Sequence, residues 1–335
     1  MTYRVGSVGL VIATLAVENY RSLRHLVVPL APLTVVTGAN GSGKSSLYRT
    51  LRLLADAARG GAVAALAREG GLPSTLWAGP ETIGRAVREG TYPVQGTPRS
   101  KSVSLRLGFG GDDFGYAIDF GLPVGGSGAF ALDPEIKRES IWRGPVLRPA
   151  VALCERDNGI VRIRGEGRTW SGPYKIQLYD SMLSEFADPR QAAEVLRVRE
   201  EIRSWRFYDH FRTDGTAPAR ASQIGTRTPV MSHDGSDVAA ALLAPRPASL
   251  LVLNEPETSL HWQLLAPLAQ LIITAAARSQ IIAVSHSQTL LNALHRATEE
   301  SGTAASTIEL VKDFGETHVN GQAPLEEPAW RWPKR

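Results

Sequence analysis

Cysteine is nearly absent: Cys154 is the only one in 335 residues. A disulfide framework is therefore excluded, and the chain suits a reducing compartment. His210, His233 and His261 show no paired metal-ligand spacing, so no metal site is expected from them. No apolar run reaches membrane-spanning length, and no membrane partner is expected. The apolar stretch 8–17 lacks a clear cleavage site and runs directly into Glu18, which reads as a strand and not as a signal peptide. A cytoplasmic protein is the expectation. There is no strong charge of one sign either. The net charge of +4 and pI near 9.3 permit a nucleic-acid partner without demanding one. Arginine far outnumbers lysine, a bias that genome composition explains as readily as function. No internal repeat is visible. What the chain has in quantity is apolar residues, 43% of the total, enough for a sizeable core in one large or two ordinary domains.

Three of the 32 glycines fall in one short segment that carries chemistry. The segment GANGSGKS, residues 38–45, is a complete phosphate-binding loop. An apolar run, 33–37, precedes it, and a helix-prone run, 46–54, follows, so the strand–loop–helix context is present. Gly38, Gly41 and Gly43, with Asn40 and Ser42 between them, let backbone N–H groups turn inward around phosphate oxygens. The helix N-terminus, which includes Ser46, adds a partial positive charge. Lys44 is the cation for the β- and γ-phosphates, and Ser45 offers its hydroxyl to Mg²⁺. ATP and Mg²⁺ are the expected ligands.

The remaining pattern splits around this motif. Strands are expected at 10–17, 26–30 and 33–37, and residues 59–100 lack a clear period. From 103 to 120 the apolar period becomes two, with Val103, Leu105, Leu107 and Phe109 facing Tyr116, Ile118 and Phe120 across a turn, which predicts a hairpin. A further short strand is expected at 160–164. Residues 191–211 read as a charged helix and 213–237 as a polar loop. An α/β pattern resumes with strand 250–253, helix 258–277, strand 281–284, helix 288–298 and strand 307–312. The fold class expected is α/β: a split core over 1–80 and 238–320, an inserted mixed β/α arm over 81–237 and a tail over 321–335.

The second half of the site lies in LLVLNEPETSLH, residues 250–261. A buried strand there ends in polar groups at the sheet edge where α/β proteins bind ligands. Glu255 is the candidate general base for the water that attacks the γ-phosphate. Asn254 is the candidate for orienting a Mg²⁺-bound water. Strand 281–284 ends in Ser285, His286 and Ser287, and His286 is placed to sense the γ-phosphate. Taken alone, Glu255 would be a carboxylate favoured by a helix N-terminus, and His286 an ordinary strand-end histidine.

Together these residues resemble an ABC-type ATPase, a P-loop NTPase of the soluble branch that includes RecF-like, structural-maintenance-of-chromosomes-like and overcoming-lysogenization-defect-like proteins. The resemblance rests on ENYRSL at 18–23, the loop 38–46, NEPETSLH at 254–261 and SHS at 285–287. More narrowly, WRFYDHFR at 205–212 and PAWRWP at 328–333 resemble bacterial predicted AAA-type ATPases. The resemblance implies ATP sandwiched between two heads in an ATP-dependent homodimer, with DNA repair or defence as the output.

Two departures stand out. Asn254 occupies a position that is usually Asp. The signature motif, which contacts the opposite ATP, has only Ser232 to Ser236 as a candidate, either because the motif is degenerate or because residues near 241–243 have been deleted. A weak dimer and slow turnover are expected on that ground. Gln95 is the candidate for a Mg²⁺-sensing glutamine. DNA, if it binds, has one candidate surface in Arg197, Arg199, Arg203, Arg206 and Arg212, although Glu194, Glu200 and Glu201 make a solvated, self-paired helix the plainer reading. The rival classes are a nucleotide-gated scaffold without catalysis and the ATPase subunit of a transporter.

Overall fold

The computed structural model describes residues 11–79, 104–125, 131–165, 169–187, 189–209, 215–222, 224, 231–232, 234–237, 248–258, 260–323 and 325–335. Along the chain come β1 (Thr14–Tyr20), β2 (Leu23–Pro29), β3 (Leu33–Gly38), α1 (Lys44–Ala58), α2 (Ala62–Arg68) and α3 (Leu72–Thr75). The strands β4 (Leu105–Gly110), β5 (Phe114–Gly121), β6 (Glu135–Arg143), β7 (Ala152–Asp157), β8 (Ile160–Arg164) and β9 (Trp170–Lys175) follow. Then come α4 (Met182–Glu185), α5 (Ala193–Arg203), β10 (Arg206–Tyr208), β11 (Leu250–Asn254), α6 (Leu265–Ala276), β12 (Gln280–Val284), α7 (Gln288–Ser301), β13 (Ala305–Asp313) and β14 (Glu316–Val319). The chain is α/β, and it divides into two compact units: Met1–Val11, Leu30–Ala39 and Ser204–Glu309 form one, and Ile12–Pro29, Asn40–Arg203 and Leu310–Arg335 the other.

The first unit is a parallel sheet in the order β10-β11-β12-β3, with β13 next to β3. All five residues of β12 are buried, as expected of a strand covered on both faces. Leu33, Val35 and Ile281 pack with Ala269, Ile272, Ile273 and Ala276 of α6 and Leu290, Leu294 and Ala297 of α7. The i, i+3, i+4 spacing of those helix residues puts one apolar face on the core. Ser287 caps α7 by accepting the Leu290 N–H at 3.3 Å, and Gly302 ends it in the left-handed region at φ 67°.

Two elements differ from the sequence reading. The helix expected over 191–211 stops at Arg203, and β10 follows, because Trp205 and Phe207 are buried in alternation with half-buried Arg206 and Tyr208. That is a strand period in aromatic residues of strong β preference. The helix expected over 258–277 begins only at Leu265. Glu255 precedes Pro256, which disfavours the helical region at that residue, and it adopts φ 47°. The motif's polar end thus remains a turn.

The second unit holds an eight-stranded antiparallel sheet, β2-β1-β4-β5-β6-β7-β8-β9. The β1 and β2 strands, expected in the core, pair with the hairpin β4–β5, expected in the arm; β10, also expected in the arm, pairs with β11. The ENYRSL opening is the tight turn from β1 to β2, with Asn19 at φ 64° and Arg21 at φ 51°. Arg21 pairs with Glu69 at 2.6 Å, and the Tyr20 hydroxyl donates to the same carboxylate at 2.8 Å.

A buried ion pair sits in the middle of this sheet. Arg156 Nη1 lies 2.8 Å from Glu139 Oε2, and both side chains are fully buried. Arg156 also donates to the carbonyls of Asn158, Gln177 and Asp180. Glu139 accepts from the Tyr116 and Ser181 hydroxyls and the Met182 N–H. The tail is docked as well: Trp330 meets Trp142 edge-on at 5.6 Å, and Arg335 pairs with buried Asp119 at 2.8 Å. Burial pushes the Cys154 thiol well up, so it is an inert core residue.

Candidate nucleotide site

Parallel pairing brings three strand ends to one edge of the first unit. Val36 of β3 is opposite Val284 of β12, which is opposite Asn254 of β11. Gly38, Asn254 with Glu255, and Ser285 with His286 therefore leave the sheet on the same side, the edge where open α/β sheets bind ligands. The Glu255 N–H donates to the Val284 carbonyl at 2.8 Å and the Ser285 N–H to the Val36 carbonyl at 3.0 Å, which locks the loops together. His286 Nδ1 then lies 3.3 Å from Glu255 Oε1. The structure thus brings together the two residues the sequence offered as base and sensor.

Two neighbours join the cluster: Glu257, which the sequence offers as the base if Glu255 is not, and Asp209, which it does not single out. Glu257 is 8% exposed, accepts from the Ser285 hydroxyl at 2.6 Å and lies 3.9 Å from His286 Nδ1. Its Oε2 is buried with no hydrogen-bond partner among the described residues. Asp209, one residue beyond β10, accepts from Asn254 Nδ2 at 3.5 Å. That contact leaves the Asn254 amide oxygen for another partner.

The phosphate loop crosses from one unit to the other: Gly38 and Ala39 belong to the first, Asn40 to Ser46 to the second. Gly38, Gly41 and Gly43 all have positive φ, at 141°, 79° and 111°. Among the described residues, a side chain on Gly41 would meet nothing within 4 Å, so the loop has open space against them. Gly43 caps α1 and its carbonyl accepts the Leu47 N–H at 3.0 Å. Lys44 is 7% exposed, and the buried Ser42 hydroxyl has no partner among the described residues. An orphaned donor beside an open, glycine-lined loop at a helix N-terminus fits a bound phosphate. The Ser45 hydroxyl, in the first turn of α1, is an oxygen donor of the kind a hard cation such as Mg²⁺ takes.

The signature candidate is partly visible. Ser232 Oγ lies 2.8 Å from Asp234 Oδ1 and 2.7 Å from Asp237 Oδ1. The Ser236 N–H, with the Ser232 and Ser236 hydroxyls, holds the Asp234 carboxyl down to about 2. The serine hydroxyl is engaged by its own loop, beside two carboxylates that would repel a phosphate. His233, Gln95, Arg212 and the stretch 238–247 lie outside the described residues. The other arginines of the candidate DNA surface have local partners. Arg197 lies 3.7 Å from Asp113, Arg199 and Arg203 contact Glu200, and Arg206 donates to the Trp205 carbonyl. Among the described residues no group of three His, Cys, Asp or Glu could hold a metal ion, and no helix is long and apolar enough to cross a membrane.

Among solved structures, the head domain of the structural-maintenance-of-chromosomes (SMC) protein from Thermotoga maritima is similar at a TM-score of 0.42 and 12% identity, covering 92% of this chain and 97% of that one. An SMC head bound to the C-terminal domain of ScpA, from Pyrococcus furiosus, is similar at a TM-score of 0.43 and 10% identity, covering 92% and 95%. At those scores the likeness adds nothing to the fold reading, which rests on the sheet order and the phosphate loop. No curated protein matches the chain. A family model described as "AAA domain, putative AbiEii toxin, Type IV TA system" matches residues 33–238 and 235–292. This span covers the loop, both sheet-edge motifs and most of the chain, and the chain belongs to that family of AAA-type, ATP-binding domains.

Proposed function

We propose that this chain binds Mg-ATP on the loop of residues 38–46 and hydrolyses it slowly to ADP and phosphate, as an ATP-gated switch. The observation that carries the reading is the 3.3 Å contact between His286 and Glu255 at the edge where the phosphate-loop strand ends. Lys44 compensates the phosphate charge, and the loop N–H groups hold the phosphate oxygens. Glu255 takes the proton of the attacking water, and its positive φ, braced by the Val284 carbonyl, fixes where its carboxylate points. His286, held against Glu255, would sense the γ-phosphate. Ser45, and Asn254 through a water, would hold Mg²⁺, which would supply charge neutralisation on the phosphates. Asp209 supports the Asn254 reading, because it brings a carboxylate beside the amide that stands where an aspartate is usual.

Lys44→Ala tests the loop directly. A fluorescent ATP analogue should bind this variant at least about tenfold more weakly than wild type, since a charge-assisted contact is lost. Equal binding would remove the loop from the site.

The engaged Ser232 hydroxyl supports a weak ATP-dependent homodimer, and it also favours the second reading, a nucleotide-gated scaffold with no turnover. Light scattering of Glu255→Gln with and without Mg-ATP should show a monomer in both. A stable ATP-dependent dimer would show that the loop around Ser232 works as a signature. For the biological output, the family's description, which includes a toxin–antitoxin system, supports defence over repair. DNA as a partner rests on the sequence resemblance alone.

A further inference from the structure

We infer that Thr317 of β14 is a positioning residue for phosphate binding: its hydroxyl fixes the peptide between Ser42 and Gly43 so that the Gly43 N–H faces the nucleotide. The inference rests on the nucleotide reading of the loop. Thr317 is completely buried. Its Oγ1 donates to the Ser42 carbonyl at 2.8 Å and lies 2.8 Å from Ser22 Oγ. A threonine hydroxyl has one proton, so with that proton on Ser42 the Ser22 hydroxyl is the donor to Thr317. The Thr317 N–H in turn donates to the Ser22 carbonyl at 2.8 Å, and neighbouring Glu316 pairs with Arg24 at 3.0 Å. The β14 strand is therefore held to the β1–β2 turn at several points, and from there Thr317 reaches the loop.

The consequence follows from peptide geometry. In a trans peptide the C=O and the next N–H point in opposite directions. Holding the Ser42 carbonyl on Thr317 turns the Gly43 N–H to the other side, where a loop of this kind presents N–H groups to phosphate. Gly43 has φ 111°, which glycine alone adopts readily, and a Cβ there would lie 2.4 Å from Thr317 Oγ1. The free loop could turn this peptide over at small cost; Thr317 removes that freedom in advance, so nucleotide binding does not have to. This also gives the serine of ENYRSL a role: it orients the threonine.

The test is a graded series at one position, with Mg-ADP and Mg-ATP binding measured by calorimetry on the full chain. Thr317→Val keeps the shape and removes the hydroxyl, and both nucleotides should bind about tenfold more weakly. Thr317→Ser keeps the hydroxyl and should bind within about twofold of wild type. Thr317→Cys, a weaker donor, should fall between them, and it keeps the question open to test if the valine variant does not fold. Binding by the valine or cysteine variant equal to wild type would overturn the proposal, as would an equal loss in the serine variant, because packing would then be responsible. Absence of Mg-ADP and Mg-ATP binding in wild type would instead refute the nucleotide reading itself.

Discussion

Glu255→Gln is expected to bind Mg-ATP like wild type and to release phosphate roughly 10²-fold or more slowly. The substitution keeps size and hydrogen-bonding capacity and removes only the basic oxygen. Binding should survive because the affinity comes from the loop and Lys44. The backbone at Glu255 is held by the Val284 carbonyl, and Thr258 closes the turn behind it at 3.0 Å, so the side-chain amide should occupy the place of the carboxylate. Glu257 is the control. It lies in the same cluster, 3.9 Å from His286, but it is buried and bound to Ser285. Equal turnover of wild type and Glu255→Gln would move the base to Glu257 and demote Glu255 to a partner of His286.

Arg156→Met should cost about 3–5 kcal/mol of stability, because Glu139 would be left as an unpaired buried carboxylate. Both members of the pair are fully buried, and every hydrogen bond that Arg156 makes to the Asn158, Gln177 and Asp180 carbonyls would be lost with it. In a unit of this size the melting temperature should fall by roughly 10 °C. Adding Glu139→Leu to the same chain removes the stranded charge and should return part of the loss, since buried pairs replaced on both sides by apolar groups cost far less than pairs broken on one. Calorimetric melting of wild type, single and double variants reads this. A single variant as stable as wild type would mean that water reaches Glu139.

The loop, both sheet-edge motifs and the family they indicate were legible in the sequence because their chemistry is local. Glycines at fixed offsets and a buried strand ending in polar residues are short-range patterns. The strands β3, β8, β11 and β12 were legible for the same reason. What escaped was non-local. The three residues of β10 are too short for a period to be read beside a charged helix. The assignment of β1 and β2 to the antiparallel sheet depends on which strand they pair with, and nothing in either strand names β4. Thr317 gave no signal, since a threonine in a short polar strand is unremarkable until its hydroxyl meets a loop 275 residues away in sequence. The Asp209 contact with Asn254 is of the same kind: Asp209 follows one strand and Asn254 ends another, and only the parallel pairing of β10 with β11 makes them neighbours.

Calorimetric titration of Mg-ATP into the purified wild-type chain decides whether the loop of residues 38–46 is a working nucleotide site. Saturable binding of one nucleotide per chain is expected, shared by ADP and absent for adenosine, because the affinity resides in the phosphates. No saturable heat with Mg-ATP, or binding by adenosine as tight as by ATP, would contradict it.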